Sequence, residues 1–183
     1  MHKDIKEILF TEEEIAARVR EIGGALTDKY SALADSGERV VLVSVLRGAA
    51  IFMADLARAI EVPLEMDYMA LSSYGSGVKS SGVVKIEKDL TASIEGKHVI
   101  VAEDILDSGL TLQFLLEGFK THNPASVEVV TLLRKQAKAQ AHIECAHVGF
   151  ECPDEFIVGY GLDYAERYRN LPYIGILKPE VYE

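Results

Sequence analysis

The sequence predicts an α/β protein whose mainly parallel sheet is flanked by helices. Two observations carry this prediction: short runs rich in β-branched residues, and helical apolar repeats that alternate with those runs. Residues 40–46, VVLVSVL, form the clearest run, because continuous apolar character is typical of a parallel strand covered on both faces. Residues 99–102, VIVA, form a second short buried strand.

The remaining elements are predicted from start signals and periodicity. Residues 11–14, TEEE, form a capping box, and apolar residues then repeat at helical spacing to about residue 33. Such a box marks the beginning of a helix, since it satisfies backbone amides that have no partner inside the helix. The other predicted elements are helices at about 49–60 and 110–121 and strands at 63–71, 127–133, 142–150, 156–160 and 173–177.

Length and charge limit the classes of function. The 183 residues suffice for one domain with a full hydrophobic core, and because no stretch resembles an interdomain linker we expect a single domain over residues 1–183. The formal net charge of −10 argues against nucleic-acid partners and against binding to anionic membranes. The sequence has neither an apolar run long enough for a membrane span nor a signal-peptide pattern, so we expect a cytoplasmic protein.

Residues 72–89, SSYGSGVKSSGVVKIEKD, differ in character from the rest of the chain. They are rich in serine and glycine with scattered lysines. This composition is typical of a flexible β-hairpin or linker, and equally of a mobile lid over an active site. Composition alone does not separate these two interpretations.

Residues 99–112, VIVAEDILDSGLTL, carry the strongest functional signal. A buried strand is followed by Glu103 and Asp104, and then by a small polar loop from Asp107 that opens onto a helix. Helix N-termini at the carboxyl end of a parallel strand bind phosphate through backbone amides. Acids beside such a loop would repel phosphate unless they bind ribose hydroxyls, a cation or a proton. The segment therefore predicts a sugar-phosphate site with built-in carboxylates.

The same segment resembles the phosphoribosyl pyrophosphate signature of the type I phosphoribosyltransferases. Three further segments resemble motifs of the hypoxanthine-guanine branch of that family, in its bacterial type. They are residues 46–48, LRG, which resemble its pyrophosphate loop, Ser73-Tyr74 of its mobile loop, and residues 156–164, FIVGYGLDY, with Arg169, which resemble its purine hood. The resemblance spans roughly residues 5–177 with the motifs in the family's order.

The resemblance implies a fold and a reaction. The fold is the type I phosphoribosyltransferase fold, with a small hood built from parts of the N- and C-terminal segments and a lid at about 72–88. The reaction displaces pyrophosphate from C1 of phosphoribosyl pyrophosphate by N9 of a 6-oxopurine, hypoxanthine or guanine. The family's cofactor is Mg²⁺, and relatives assemble as homodimers or homotetramers.

The resemblance also implies roles for residues of the phosphoribosyl site. Asp107 would be the catalytic proton acceptor that faces purine N7, although an Asp at such a position is also a common helix N-cap. Glu103 and Asp104 would hold the ribose hydroxyls directly or through Mg²⁺, although acids at a strand end can also be a solvated pair. The 5′-phosphate would lie against Ser108, Gly109, Leu110 and Thr111.

The resemblance also implies residues for the pyrophosphate site and for the purine site. Lys135 would recognise O6 of the purine, and Arg134 is the alternative because the neighbouring residues depart from the family pattern. A non-proline cis peptide at Leu46–Arg47 is a family feature that a sequence cannot reveal. The implied pyrophosphate site is Arg47, Gly48, Ser73, Tyr74 and Arg169. The implied purine site is Lys135, Phe156, Ile157 and Asp163, and the implied metal ligands are Glu103, Asp104 and Asp163.

Other functions compete with this interpretation. A nucleotide-sensing regulator on the same scaffold would usually carry a DNA-binding module or a basic face, and this acidic chain has neither. A xanthine-guanine enzyme and a scaffold protein without activity are further alternatives. We reject a zinc site at His142, Cys145, His147 and Cys152, because the spacing fits no standard pattern and a strand would point His142 and Cys145 to opposite faces.

Overall fold

The computed structural model describes residues 2–73, 84–135 and 141–183. None of the helices in these ranges combines the length and apolar character needed to cross a membrane. The helices are α1 (Glu12–Asp35), α2 (Ala50–Ala59), α3 (Leu110–Lys120) and α4 (Pro179–Tyr182). The strands are β1 (Ile5–Phe10), β2 (Val40–Leu46), β3 (Glu65–Ser73), β4 (Val84–Lys88), β5 (His98–Leu106), β6 (Ser126–Arg134), β7 (His147–Glu151), β8 (Ile157–Val158) and β9 (Ile174–Leu177).

A six-stranded sheet in the order β4-β3-β2-β5-β6-β7, the main sheet, forms the centre of the molecule. The pairs β2–β3, β2–β5, β5–β6 and β6–β7 are parallel, whereas the edge strand β4 runs antiparallel to β3. The predicted mainly parallel α/β sheet is therefore confirmed. Because the parallel strands end at one edge, the segments that follow β2, β5 and β6 meet there.

Helices cover the main sheet on both faces. Leu42, Ile100 and Leu132 pack with apolar residues of α1 and α2 in one core cluster. Val43 and Val101 pack with apolar residues of α3 in a second cluster. The continuous apolar runs of β2 and β5 follow from this arrangement, since both faces of these strands are buried.

A smaller antiparallel sheet in the order β1-β9-β8, the hood sheet, joins segments from both ends of the sequence. Ile5 of β1 lies opposite Leu177 of β9, and Ile157 of β8 lies opposite Ile176 of β9. A third core cluster, which includes Ile5, Leu177 and Tyr168, lies beneath it. The hood sheet thus brings residues from 156 onward to the carboxyl edge of the main sheet.

Strand β5 is longer than the sequence predicts. The prediction ends the strand at Ala102, but β5 continues to Leu106 and contains both Glu103 and Asp104. The reason is β6, which stays paired with β5 up to Leu106 opposite Arg134. Backbone pairing therefore continues past the acids, and they are strand residues rather than loop residues.

Two other predicted strands are wrong in extent. The strand predicted at 142–150 begins only at His147, which lies opposite Val130 of β6. The argument that places His142 and Cys145 on opposite faces of a strand therefore does not hold. The strand predicted at 156–160 is limited to β8, because Gly159 has a φ of +102° and turns the chain.

Candidate active site

Asp107 and Lys135 leave neighbouring strands at the carboxyl edge of the main sheet. The register of β5 and β6 pairs Leu106 with Arg134, and each of the two residues follows one position later. The backbone amide of Lys135 donates a hydrogen bond of 2.9 Å to the carbonyl of Leu106 and so ties the two strand ends together. Strand register alone therefore makes neighbours of residues that are distant in the sequence.

A cavity of about 410 Å³ opens beside this pair. Its volume lies in the range of small-molecule sites, which combine apolar walls with a few convergent polar groups. Its walls come from the end of β5, from the residue after β6 and from the hood sheet with its flanking residues. The cavity unites five of the residues predicted for the base and the chemistry: Asp107, Lys135, Phe156, Ile157 and Asp163.

Lys135 supplies the ammonium group of this cavity. Its side chain is buried, Nζ donates a hydrogen bond of 2.9 Å to the carbonyl of Glu155, and Asp154 Oδ1 lies 3.9 Å away. An ammonium has three donors, so one bonded carbonyl leaves capacity for a ligand. Arg134, the alternative, instead pairs with Glu151, its Nε donating a bond of 2.9 Å.

Asp107 presents a carboxylate to the cavity. Its Oδ1 atom is buried and has no hydrogen-bond partner among the described residues. A buried acceptor without a partner carries a free-energy penalty, and such atoms are commonly completed by a ligand or by water. The alternative role of helix N-cap does not hold, because Gly109 occupies the N-cap position of α3.

Glu103 and Asp104 are adjacent strand residues, so their side chains leave opposite faces of the main sheet. Burial raises the pKa of Glu103 well above its ordinary value, and the charge of Asp104 adds to the rise. Burial also raises the pKa of Asp104, to about 6. Glu103 Oε2 is buried without a hydrogen-bond partner in the described ranges. These acids are therefore not a solvated pair.

The N-terminus of α3 follows Asp107 directly. Gly109 has a φ of +79°, a conformation that glycine adopts without strain, and a Cβ there would come within 3.1 Å of the carbonyl of Ala141. The N-cap residue Gly109 has no side chain to cap this helix, and Ser108 Oγ accepts from the amide of Leu110 only at 3.5 Å. Leu110 and Thr111 begin the helix with exposed side chains. The first amides of a helix lack partners inside it, so this end, which Ser108 precedes, suits an anion.

Arg47 and Gly48 follow β2, and the Leu46–Arg47 peptide bond is cis. A Cβ at Gly48 would collide with the carboxylate of Asp104, so a residue with a side chain does not fit there. The guanidinium of Arg47 is largely exposed and lies 2.9 Å from Glu166 Oε1. The loop therefore presents a cation beside the acids of β5.

Arg169 joins the hood to this loop. Its Nη2 lies 2.8 Å from Asp163 Oδ1, and its Nη1 donates a hydrogen bond of 2.8 Å to the carbonyl of Gly161. Gly161 has a φ of +103°, and a Cβ there would collide with the carbonyl of Gly48. The Nε of Arg169 is buried and has no hydrogen-bond partner in the part of the chain that is described. Arg47 and Arg169, two cations that the motifs predict for pyrophosphate, thus both pair with Glu166.

The predicted lid at about 72–88 falls partly outside the described residues. Strand β3 ends at Ser73, β4 begins at Val84, and the two strands pair antiparallel. Tyr74 lies outside the described residues. The mobility of this lid and the pyrophosphate contact of Tyr74 therefore stay predictions.

The sequence analysis does not predict five of the cavity residues: Ile105, Asp154, Glu155, Leu162 and Tyr182. Ile105 lies between the acids and Asp107, so its position in the motif could have identified it. Leu162 lies inside the hood motif and could have been found in the same way. Tyr182 has no such signal, because it comes near the cavity through the pairing of β9 with β8 and β1.

The acidic residues do not form a metal centre by themselves. No three His, Cys, Asp or Glu side chains in the described ranges are arranged to hold a metal ion. Among the predicted ligands, Glu103 and Asp104 leave opposite faces of β5, and Asp163 is paired with Arg169. A cation at this edge would need further ligands from a bound molecule.

Comparisons with known proteins agree with this geometry. The family model described as "Phosphoribosyl transferase domain" matches residues 12–165. The chain is 52% identical to a hypoxanthine-guanine phosphoribosyltransferase of Mycobacterium avium (98% of this chain, 89% of that one) and 52% identical to one of Bacillus subtilis (100% and 99%). A hypoxanthine phosphoribosyltransferase structure from Staphylococcus aureus aligns with a TM-score of 0.93 at 50% identity (100% and 97%). The chain therefore belongs to the phosphoribosyltransferase family, in its hypoxanthine-guanine branch.

Proposed function

We propose that the chain is a purine-salvage enzyme that transfers the 5-phosphoribosyl group of phosphoribosyl pyrophosphate to N9 of hypoxanthine or guanine. The products are IMP or GMP and pyrophosphate. One observation carries the proposal: Asp107 and Lys135 line one cavity beside the N-terminus of α3. The reaction needs a proton acceptor, a donor to the 6-oxo group and an anion site, and this arrangement supplies all three.

The 5′-phosphate binds at the N-terminus of α3. Backbone amides of Ser108, Gly109, Leu110 and Thr111 donate to its oxygens, and the helix dipole favours its charge. The hydroxyls of Ser108 and Thr111 add two further donors. The exposed side chain of Leu110 does not affect this contact, because the contact uses the backbone.

The ribose lies between this phosphate and the acids of β5. Its 2′- and 3′-hydroxyls donate to the carboxylates of Glu103 and Asp104. A hydroxyl donor would give Glu103 Oε2 the hydrogen bond that it lacks among the described residues. The carboxylate of Asp104 also places negative charge near C1, where positive charge develops as pyrophosphate leaves.

The pyrophosphate lies on the side of Arg47, Gly48 and Arg169. Guanidinium groups bind phosphate oxygens through two donors at once, which suits a leaving group that carries charge away. We assign Ser73 and Tyr74 to the lid that closes over it. Closure would exclude water and so protect the cationic ribose from hydrolysis.

The base lies in the cavity. Lys135 Nζ donates to O6 of a 6-oxopurine, whereas adenine presents an amine there and two donors would face each other. The exposed ring of Phe156 stacks on the purine, and the backbone of Ile157 meets the edge that carries the 2-position. Asp163 lines the same cavity on the side of Arg169.

Asp107 accepts the proton that the base must lose. The purine binds with its proton on N7, so that the N9 lone pair attacks C1 while the bond from C1 to the pyrophosphate oxygen breaks. The electron pair of that bond leaves with pyrophosphate, and the N7 proton passes to the Asp107 carboxylate. Its partnerless Oδ1 suits this task.

The donor set fits Mg²⁺. This cation prefers oxygen ligands, and proteins usually hold it through one or two carboxylates together with substrate phosphates and water. Asp163 lies near enough to Asp104 to contribute to the raised pKa of that residue. We assign Asp104, Asp163 and Glu103 as the residues that hold the cation with substrate oxygens. When bound, it neutralises charge on the pyrophosphate.

We further propose that the enzyme acts in the cytoplasm as a homodimer or homotetramer, with residues 1–183 forming one domain. Relatives commonly associate through surfaces near the first helix and the Arg47 loop. Size-exclusion chromatography with light scattering gives the number of copies directly. A monomer at assay concentration would contradict this part of the proposal.

The function is tested by a spectrophotometric assay with phosphoribosyl pyrophosphate, Mg²⁺ and a single base. Turnover of hypoxanthine or guanine without turnover of adenine is the expected result. A preference for xanthine and guanine would place the chain among the related enzymes with that selectivity. No turnover of any base, with phosphoribosyl pyrophosphate still bound in calorimetry, would contradict the proposal and indicate a sensor.

A further inference from the structure

Phe156 belongs to a cluster of three aromatic rings, and the other two have no role in the reaction proposed above. The rings of Phe156 and Tyr182 are stacked, with centroids 4.9 Å apart and planes 25° apart. Tyr164 stands perpendicular to Phe156, with centroids 5.3 Å apart. Phe156 and Tyr182 both line the cavity, whereas Tyr164 supports them from the side.

The backbone of the hood holds Tyr182 in this position. The amide of Leu177 donates a hydrogen bond of 2.8 Å to the carbonyl of Phe156. The next residue, Lys178, donates a bond of 2.9 Å to the carbonyl of Asp4, and α4 begins immediately after it. Pairing at both sides of β9 therefore fixes where α4 starts, and α4 carries Tyr182.

Phe156 retains an open face. Tyr182 covers one face of its ring, yet 36% of the residue is exposed and it borders the cavity. Ile105 lines the same cavity from the main sheet. The face of Phe156 that Tyr182 does not cover is therefore the face available to a planar base that enters from the cavity.

We propose that Tyr182 is a positioning residue for the purine: its ring stacks on the back of Phe156 and holds that ring in the plane that receives the base. The inference rests on the proposed function, in which Phe156 stacks on the purine. A ring that can rotate must be ordered when the base binds, and that ordering weakens binding. A ring held by two tyrosines is ordered in advance. Tyr182 therefore acts on affinity for the base and not on affinity for phosphoribosyl pyrophosphate.

The test compares three variants of the full chain. Tyr182→Leu removes the ring, and Tyr182→Phe keeps the ring without its hydroxyl. Val181→Ala is the matched control, because Val181 lies in the same helix and packs on the third core cluster. Steady-state kinetics are measured with hypoxanthine varied at saturating phosphoribosyl pyrophosphate, and then with phosphoribosyl pyrophosphate varied at saturating hypoxanthine.

The expected result is a selective loss of affinity for the base. In Tyr182→Leu the KM for hypoxanthine rises roughly three- to tenfold, the effect of losing one aromatic pair. The kcat and the KM for phosphoribosyl pyrophosphate stay at the wild-type values. Tyr182→Phe restores the wild-type KM for hypoxanthine, and Val181→Ala does not change it.

Other outcomes overturn the inference. In Tyr182→Leu, an unchanged KM for hypoxanthine, a lowered one, or an equal rise in both KM values would each contradict a positioning role. If the leucine variant does not fold, Tyr182→His keeps a smaller ring and must give an intermediate rise. Failure of the wild-type protein to turn over any base would contradict the proposed function instead, so the two failures are distinguishable.

Discussion

The amino ends and the carboxyl ends of the main-sheet strands differ in how completely their ionisable groups are paired. At the amino ends, ionisable groups are matched: His98 contacts Glu38 at 2.7 Å and Ser126 at 2.8 Å, and Lys29 and Tyr30 both bind Glu128. At the carboxyl ends, buried oxygens of Glu103 and Asp107 have no hydrogen-bond partner among the described residues. Glu65 Oε1 at the amino ends also lacks a hydrogen bond, but it is paired with Arg39 Nε. The same strands form both ends, so the difference in the pairing of ionisable groups reflects a difference in function between the two ends.

The pKa values of two acids, Glu65 and Asp104, illustrate this difference. Burial opposes ionisation of Glu65 at the amino end, but Lys97 at 2.8 Å and Arg39 at 2.7 Å outweigh it and lower the pKa of Glu65. At the carboxyl end burial prevails, and the pKa of Asp104 rises to about 6. Buried acids whose charge is not fully compensated reduce the stability of the fold. They are expected where a ligand completes the site.

The largest effect is expected for Asp107→Asn. An amide of the same shape cannot accept the purine proton, so kcat falls by a factor of about 100 or more. Steady-state kinetics measure the loss, and thermal melting serves as the control, because the fold does not depend on this carboxylate. A near-normal kcat would show that another group accepts the proton.

Lys135→Ala is expected to act next most strongly. It removes the donor to O6, so the KM for hypoxanthine should rise by roughly tenfold or more while the KM for phosphoribosyl pyrophosphate changes little. Arg134→Ala is the matched control, because that neighbouring cation pairs with Glu151 instead. Equal losses for both substrates would remove Lys135 from the base site.

At the opposite end of the sheet, Lys97→Met is expected to change stability without changing activity. The ammonium of Lys97 is buried against Glu65, which would keep Arg39 as a partner. We expect the free energy of unfolding to fall by about 1–3 kcal/mol, with kcat and both KM values unchanged. Urea unfolding and the enzyme assay measure the two properties, and a large loss of kcat would contradict the division between the two ends.

Asp104→Asn is expected to change stability in the opposite direction. Because the folded-state pKa of Asp104 is raised, the folded protein loses stability as pH rises from the ordinary value of 3.8 toward about 6. Without substrate or Mg²⁺, the variant should melt roughly 2–6 °C above the wild type near neutral pH. Below that ordinary value the two proteins should melt alike.

A variant of Asp104 that melts below the wild type at neutral pH would show that the ionised carboxylate is compensated after all. The backbone amide of Ile105 donates to Asp104 Oδ1 at 2.9 Å, and an asparagine oxygen can keep that bond. The comparison therefore isolates the charge. Activity of the same variant should fall, since the ribose hydroxyls lose a carboxylate acceptor.

The central strands could be predicted from the sequence because burial on both faces leaves a local pattern. The β-branched run of β2 is such a pattern, and the capping box at Thr11 and Glu14 forms as predicted. The hood sheet could not be predicted as a unit, since Ile5 pairs with Leu177 from the far end of the sequence. The extension of β5 to Leu106 could not be predicted either, because it depends on backbone pairing with β6.

The residues of the candidate site also divide into those that a local sequence pattern identifies and those that only the fold brings together. Asp107 and the loop after it are contiguous, so one segment carries their signal, and the resemblance supplied Lys135 and Phe156. Tyr182 reaches the cavity through the pairing of β9 with β8 and β1, and no local pattern marks it. Residues that the chemistry requires are therefore easier to predict from a sequence than residues that hold them in place.

A crystal structure of the chain with IMP tests the central claim most directly, because it asks which end of the main sheet receives the substrate. The account predicts the phosphate at the N-terminus of α3 and O6 within hydrogen-bond distance of Lys135 Nζ, which now donates to the carbonyl of Glu155. The purine should lie against Phe156. An ordered nucleotide elsewhere, or a base in the cavity that Lys135 does not contact, would contradict the account.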